Sequence, residues 1–124
     1  MHPFTVRGDV WNVVTVDPSD PRLIDRTGMR TVATTDPRTR TVNVSAALAP
    51  PLLDRVMLHE VAHAVSVSHG LLDELGTLVP YRWRVPVEEW SARLMEGHGI
   101  EAVALASETL GRPVCIDGLC GGKI

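Results

Sequence analysis

The chain is poor in aromatic residues: among 124 residues it has one phenylalanine, one tyrosine and three tryptophans. An interior built from it must therefore be aliphatic, with Trp11, Trp83 and Trp90 as its only large rings. It also lacks a basic run. Twelve basic residues face fifteen acidic ones for a formal charge of −3, so there is no electrostatic footprint for phosphates and nucleic acid is not an expected partner. Eleven of the basic residues are arginine and only Lys123 is lysine, which points to a GC-rich genome and says nothing about chemistry. No apolar run approaches the roughly 18 residues that span a bilayer, and no charged-then-apolar leader opens the chain. The expectation is a soluble cytoplasmic protein without a membrane partner. Cysteine is scarce too. Cys115 and Cys120 could close a small loop or supply half a metal site, but no second pair completes one, and free thiols are expected in a reducing compartment.

What remains is a chain of one-domain size, 44% hydrophobic, enough to fold without disulfides. Its most specific feature is His59-Glu60-Val61-Ala62-His63. Positions i and i+4 lie about 40° apart around a helix and one turn along it, so both imidazoles can address one ion. Glu60 falls too far around to join them as a ligand, but it can take a proton from a water on that ion, as in the HExxH pattern. Leu52, Leu53, Val56, Met57, Val61, Ala64 and Val65 recur at helical spacing around the motif. Pro51 and Gly70 bound a helix over about 51–69.

Two histidines do not complete a catalytic zinc site, which takes three protein ligands and an exchangeable water. The first source of a third ligand is Glu88 or Glu89, in a second helix opened by Pro86. Looking ahead from Glu88, the same face carries Ser91, Ala92 and Met95, small or apolar residues suited to close packing; from Glu89 it carries Ala92, Arg93 and Glu96. Glu88 is therefore the expected ligand and Glu89 the alternative. The second source is His69, which reproduces the histidine spacing of HExxHxxGxxH, although Ser66 stands where that pattern has glycine. In a continuous helix His69 lies about 120° around and roughly 9 Å along from His63, beyond reach of a shared ion.

Around the motif the chain reads as extended first and helical afterwards. Val10 to Val16 is rich in β-branched residues; Met29–Thr35 and Arg40–Ser45 flank the turn signal Asp36-Pro37-Arg38-Thr39 as a hairpin leading into the motif helix. Residues 71–85 read as a connecting loop, and Ile100–Leu110 as a further helix stopped by Gly111 and Pro113. The expected fold is α+β: a small antiparallel sheet of N-terminal strands packed on about three helices. It forms one domain with its core over about 29–110 and a cysteine-containing tail over 111–124.

Strands, then the His59–His63 helix, then a helix beginning Glu88-Glu89 resemble the gluzincin class of zinc metallopeptidases, and in particular the compact ImmA/IrrE-type and phage-encoded domains. The resemblance implies one Zn2+ per chain held by His59, His63 and a downstream glutamate, and a peptide or protein substrate bound along a sheet edge. Glu60 is then the general base, with a phage or host protein as partner and virion association if the gene is phage-borne. His98, Tyr81, Arg82 and Arg84 are the candidates to stabilise an oxyanion. The alternative is a non-catalytic module, such as a virion or assembly protein, in which zinc only staples a small fold.

Overall fold

In the computed structural model, which describes residues 1–121, the chain forms an α+β domain. Strands β1 (Phe4–Val6), β2 (Asp9–Val16), β3 (Ala33–Asp36) and β4 (Thr41–Ser45) make one sheet in the order β1-β2-β4-β3. The sheet is mixed rather than antiparallel, because β2 and β4 run in the same direction, with Asn12 opposite Thr41 and Val16 opposite Ser45. Parallel neighbours need a long connection, and residues 17–40 supply it, passing through a short 3-10 turn at Pro21–Leu23 and then through β3. Parallel and antiparallel strands share the same two-residue side-chain period, so the sequence pattern could not tell them apart. The β3–β4 hairpin forms where the turn chemistry placed it, with Asp36 accepting from the Arg38 amide at 2.9 Å.

Four helices follow: α1 (Leu52–Ser68), α2 (Leu71–Leu78), α3 (Arg84–Leu94) and α4 (Ile100–Leu110). A π-helical turn over Met95–Gly99 joins α3 to α4, so the helical layer comprises three rods. Gly70, at φ +69°, ends α1 in a left-handed conformation and starts α2 at once. Residues 71–78 are thus helix and not loop: Leu71, Leu75 and Leu78 fall at helical spacing, and Asp73 and Glu74 complement the helix N-terminus. Among the described residues no helix is long and apolar enough to cross a membrane.

The core lies between the sheet and α1. Trp11, Val42, Val44 and Ala64 are fully buried, with Phe4, Val6, Val13, Leu48, Leu53, Met57 and Val67 packed against them. It therefore begins well before residue 29. Trp11 stacks on Phe4 and donates its indole N–H to Ser68 Oγ at 2.9 Å, which satisfies the one polar atom this large ring buries. Beyond α4, β5 (Val114–Ile116) and β6 (Leu119–Gly121) form a hairpin in which Cys115 and Cys120 face each other and are joined by a disulfide. The expectation of free thiols is corrected here: Asp117 and Gly118 take positive φ in a two-residue turn, and this puts the two Cα atoms 4.0 Å apart. The last three residues of the expected tail, 122–124, lie outside the described chain.

Candidate metal centre

The α1 helix runs unbroken through the motif and carries His59, Glu60 and His63 on the side that faces β3 and α3. The two Nε2 atoms are 3.2 Å apart. Glu60 is buried on the sheet side, where Thr35 of β3 donates its hydroxyl within 3.2 Å of both the Glu60 carbonyl and its Oε2. Burial pushes the Glu60 carboxyl above the ordinary carboxylate range, and His63 and His59 offset this only in part.

The α3 helix crosses α1 and settles which glutamate faces the imidazoles. Glu89 does: its Oε1 is 3.2 Å from His63 Nε2 and its Oε2 is 3.3 Å from His59 Nε2. Glu88, the expected ligand, instead sits behind His63 with Oε1 3.3 Å from Nδ1. The residue seven positions beyond Glu89 shares its helical face. Glu96, in the π turn, faces α1 as well and lies 3.0 Å from His59 Nδ1. A face carrying Glu96 was read as unfit for close packing, whereas in the fold that carboxylate is part of the centre.

Each histidine is thus held from behind by its own carboxylate, and each carboxylate by its own arginine. Arg26, from the turn at 25–29, reaches Glu88 Oε2 at 2.6 Å, while Arg55 on α1 reaches Glu96 Oε2 at 3.4 Å. A carboxylate at Nδ1 fixes the tautomer with the proton on that atom and leaves the Nε2 lone pair free to ligate. The Nε2 atoms of both rings face Glu89.

In the absence of an ion these contacts favour the protonated rings. Hydrogen bonding to Glu89 raises His59 above its ordinary value. Burial opposes charge on His63, but Glu88 and Glu89 outweigh it and push this imidazole up to about 9. Hydrogen bonds from His59 and His63 hold Glu89 far below the usual carboxylate range, and Arg26 adds to the effect. Four carboxylates, those of Glu60, Glu88, Glu89 and Glu96, surround the centre against two guanidiniums, Arg26 and Arg55. It is two positive charges short, and either two imidazole protons or one divalent cation can supply them.

The donor set fits zinc. His59, His63 and Glu89 each offer a ligand atom within 4.8 Å of the others. Zinc bonds of about 2.0–2.1 Å in tetrahedral array imply ligand atoms about 3.3 Å apart, close to the 3.2 Å between the two Nε2 atoms, while Glu89 spans the pair with Oε1 toward His63 and Oε2 toward His59. Three protein ligands leave room for a water.

Other candidates lie elsewhere. His69 caps the C-terminal end of α1, exposed to solvent, because the helix does not break at Ser66; it does not join the cluster. His98 is exposed in the π turn beside Glu101, and Tyr81 is 83% exposed under the Arg84 guanidinium, so neither lines the cleft over the centre. Tyr81, Arg82 and Arg84 border a smaller adjoining cavity, floored by Leu72, Leu75 and Val85. Four contributors escaped the sequence reading: Glu96, Arg55, Thr35 and Arg26. The helical repeat could have given Glu96, seven past Glu89, and Arg55, four before His59, but nothing local marks the other two.

The centre opens on a cleft of about 770 Å3 walled by residues 31–37, the 24–27 segment and α3. Ser45 donates to Val32 O, so Val32 and Ser45 form a hydrogen-bonded pair, and alternation along β3 turns the main-chain groups of Ala33 and Thr35 away from β4 to the free edge. No family model, curated protein or solved structure matches the chain.

Proposed function

We propose that the chain is a zinc-dependent peptidase in which His59, His63 and Glu89 hold the ion and Glu60 is the general base. The observation that supports this reading is the convergence of two Nε2 atoms and one carboxylate, with ligand atoms within 4.8 Å of one another and Nδ1 of each ring beside a glutamate of its own. A zinc ion there would polarise a scissile carbonyl and acidify a bound water. With zinc held there, Glu60 would take the proton of the bound water as its oxygen bonded to the carbonyl carbon, and would pass that proton to the nitrogen as the C–N bond broke. A carboxyl raised by burial is a stronger base than an ordinary carboxylate, which suits it to take that proton. The extended substrate lies along β3, where the edge groups of Ala33 and Thr35 offer main-chain hydrogen bonds.

The test combines metal analysis with one substitution. Protein purified without chelator should hold about one zinc per chain. Glu60→Gln should keep the zinc and the melting temperature while abolishing cleavage of any peptide in a mixed library that the wild type cuts. A wild type without zinc, or a Glu60→Gln variant with undiminished cleavage, would sink the reading.

A further inference from the structure

The residue that joins the two halves of the metal centre is Arg26, which lies more than sixty positions from the glutamates it meets. Its Nη1 is 2.6 Å from Glu88 Oε2 and its Nη2 is 2.9 Å from Glu89 Oε1. One fork thus grips the carboxylate that orients His63 and the carboxylate that faces both Nε2 atoms. The turn presenting it is well braced. Asp25 Oδ1 accepts from the amides of Thr27 and Met29, the Asp25 amide donates to Met29 O at 2.8 Å, and Gly28 takes the positive φ that closes the turn. Below the turn, Ile24 and Arg30 form a bridge.

We infer that Arg26 is a positioning residue for the zinc centre, keeping Glu88 on His63 Nδ1 and presenting the neighbouring Glu89 to the ion. Two adjacent glutamates on one helix could otherwise compete for the same position, and a planar guanidinium with parallel N–H bonds can hold both in fixed and different orientations. Arg55 performs only half of this task, because it meets Glu96 alone. The inference rests on the zinc reading above and adds that the N-terminal loop completes a centre whose ligands all lie on α1 and α3.

Zinc affinity alone tests it, measured by competition with a chromogenic chelator on folded protein, without any substrate. Arg26→Met should weaken zinc binding about tenfold to a hundredfold. Arg26→Lys should fall between Arg26→Met and wild type, since an ammonium restores charge but not the fork. Combined with Glu88→Gln, Arg26→Met should cost less than the two single losses together, because part of what Arg26 does passes through its contact with Glu88; a role in stability alone gives additive losses. Should Arg26→Met fail to fold, Arg26→Lys decides by the same measure. A wild type that binds zinc and an arginine variant that matches it overturn the positioning role and leave the zinc reading standing. A wild type that binds no zinc overturns both.

Discussion

The two sides of the metal centre are built alike and buried unequally. On the inner side His63 and Glu88 have side chains 9% and 10% exposed, and Arg26 is 2.6 Å from its carboxylate. On the outer side His59 and Glu96 are 18% and 25% exposed, and Arg55, itself mostly in solvent, reaches only to 3.4 Å. Charges attract more strongly as water is excluded, and an exposed pair is screened and loses side-chain entropy. The inner relay should therefore dominate the affinity of the centre although the chemical groups are the same.

The largest effects should come from the ligands themselves. Glu89→Ala or His63→Ala should lower zinc affinity by at least about a hundredfold, or about 2.7 kcal/mol, by calorimetric titration. If Glu88→Ala matched that loss and Glu89→Ala had none, the assignment of ligand and supporting carboxylate would be reversed.

A second effect, on the order of 2–3 kcal/mol, concerns the metal-free protein. His63 is raised from its unfolded value of 6.5 to about 9, and a raised histidine contributes stability that is complete below the unfolded value. That contribution should disappear as pH rises from about 6.5 through 9, and raised His59 acts in the same sense. Melting curves in chelator should follow this decline. With zinc bound the decline should vanish, because the rings are then deprotonated and ligated; a chelated protein as stable at pH 9 as at pH 6 would contradict the proposed burial of charge.

The inequality of the relays is tested directly by Glu88→Gln and Glu96→Gln. The first should weaken zinc about tenfold or more, and the second by about threefold. Equal losses would show that exposure does not grade them. The smallest effect belongs to His69→Ala, which should leave zinc affinity unchanged and cost at most about 1 kcal/mol of thermal stability through the helix dipole.

The motif helix and its stop at Gly70, the β3–β4 hairpin and the helix at 100–110 were legible because each rests on contacts within a few residues. The α2 helix was not, since residues 71–85 read as one connecting loop; Gly76 within it gives room for the Arg84 guanidinium, 3.3 Å from where a β-carbon would stand. The disulfide was misread because compartment was used in place of hairpin register, and register is what brought the two sulfurs together.

By itself the sequence determined the α+β class and the placing of His59, Glu60 and His63 on one helix, because i to i+4 geometry is a property of the backbone. It narrowed the third ligand to Glu88, Glu89 or His69 without placing any of them. Which glutamate, and on which ring atom, was decided by how α3 crosses α1 and by a π turn that carries Glu96 to His59. The parallel pairing of β2 with β4, and the reach of Arg26 across the chain, were also decided in three dimensions. Contacts between residues distant in sequence depend on the angles and separations at which rods and sheets pack, and no local pattern encodes those.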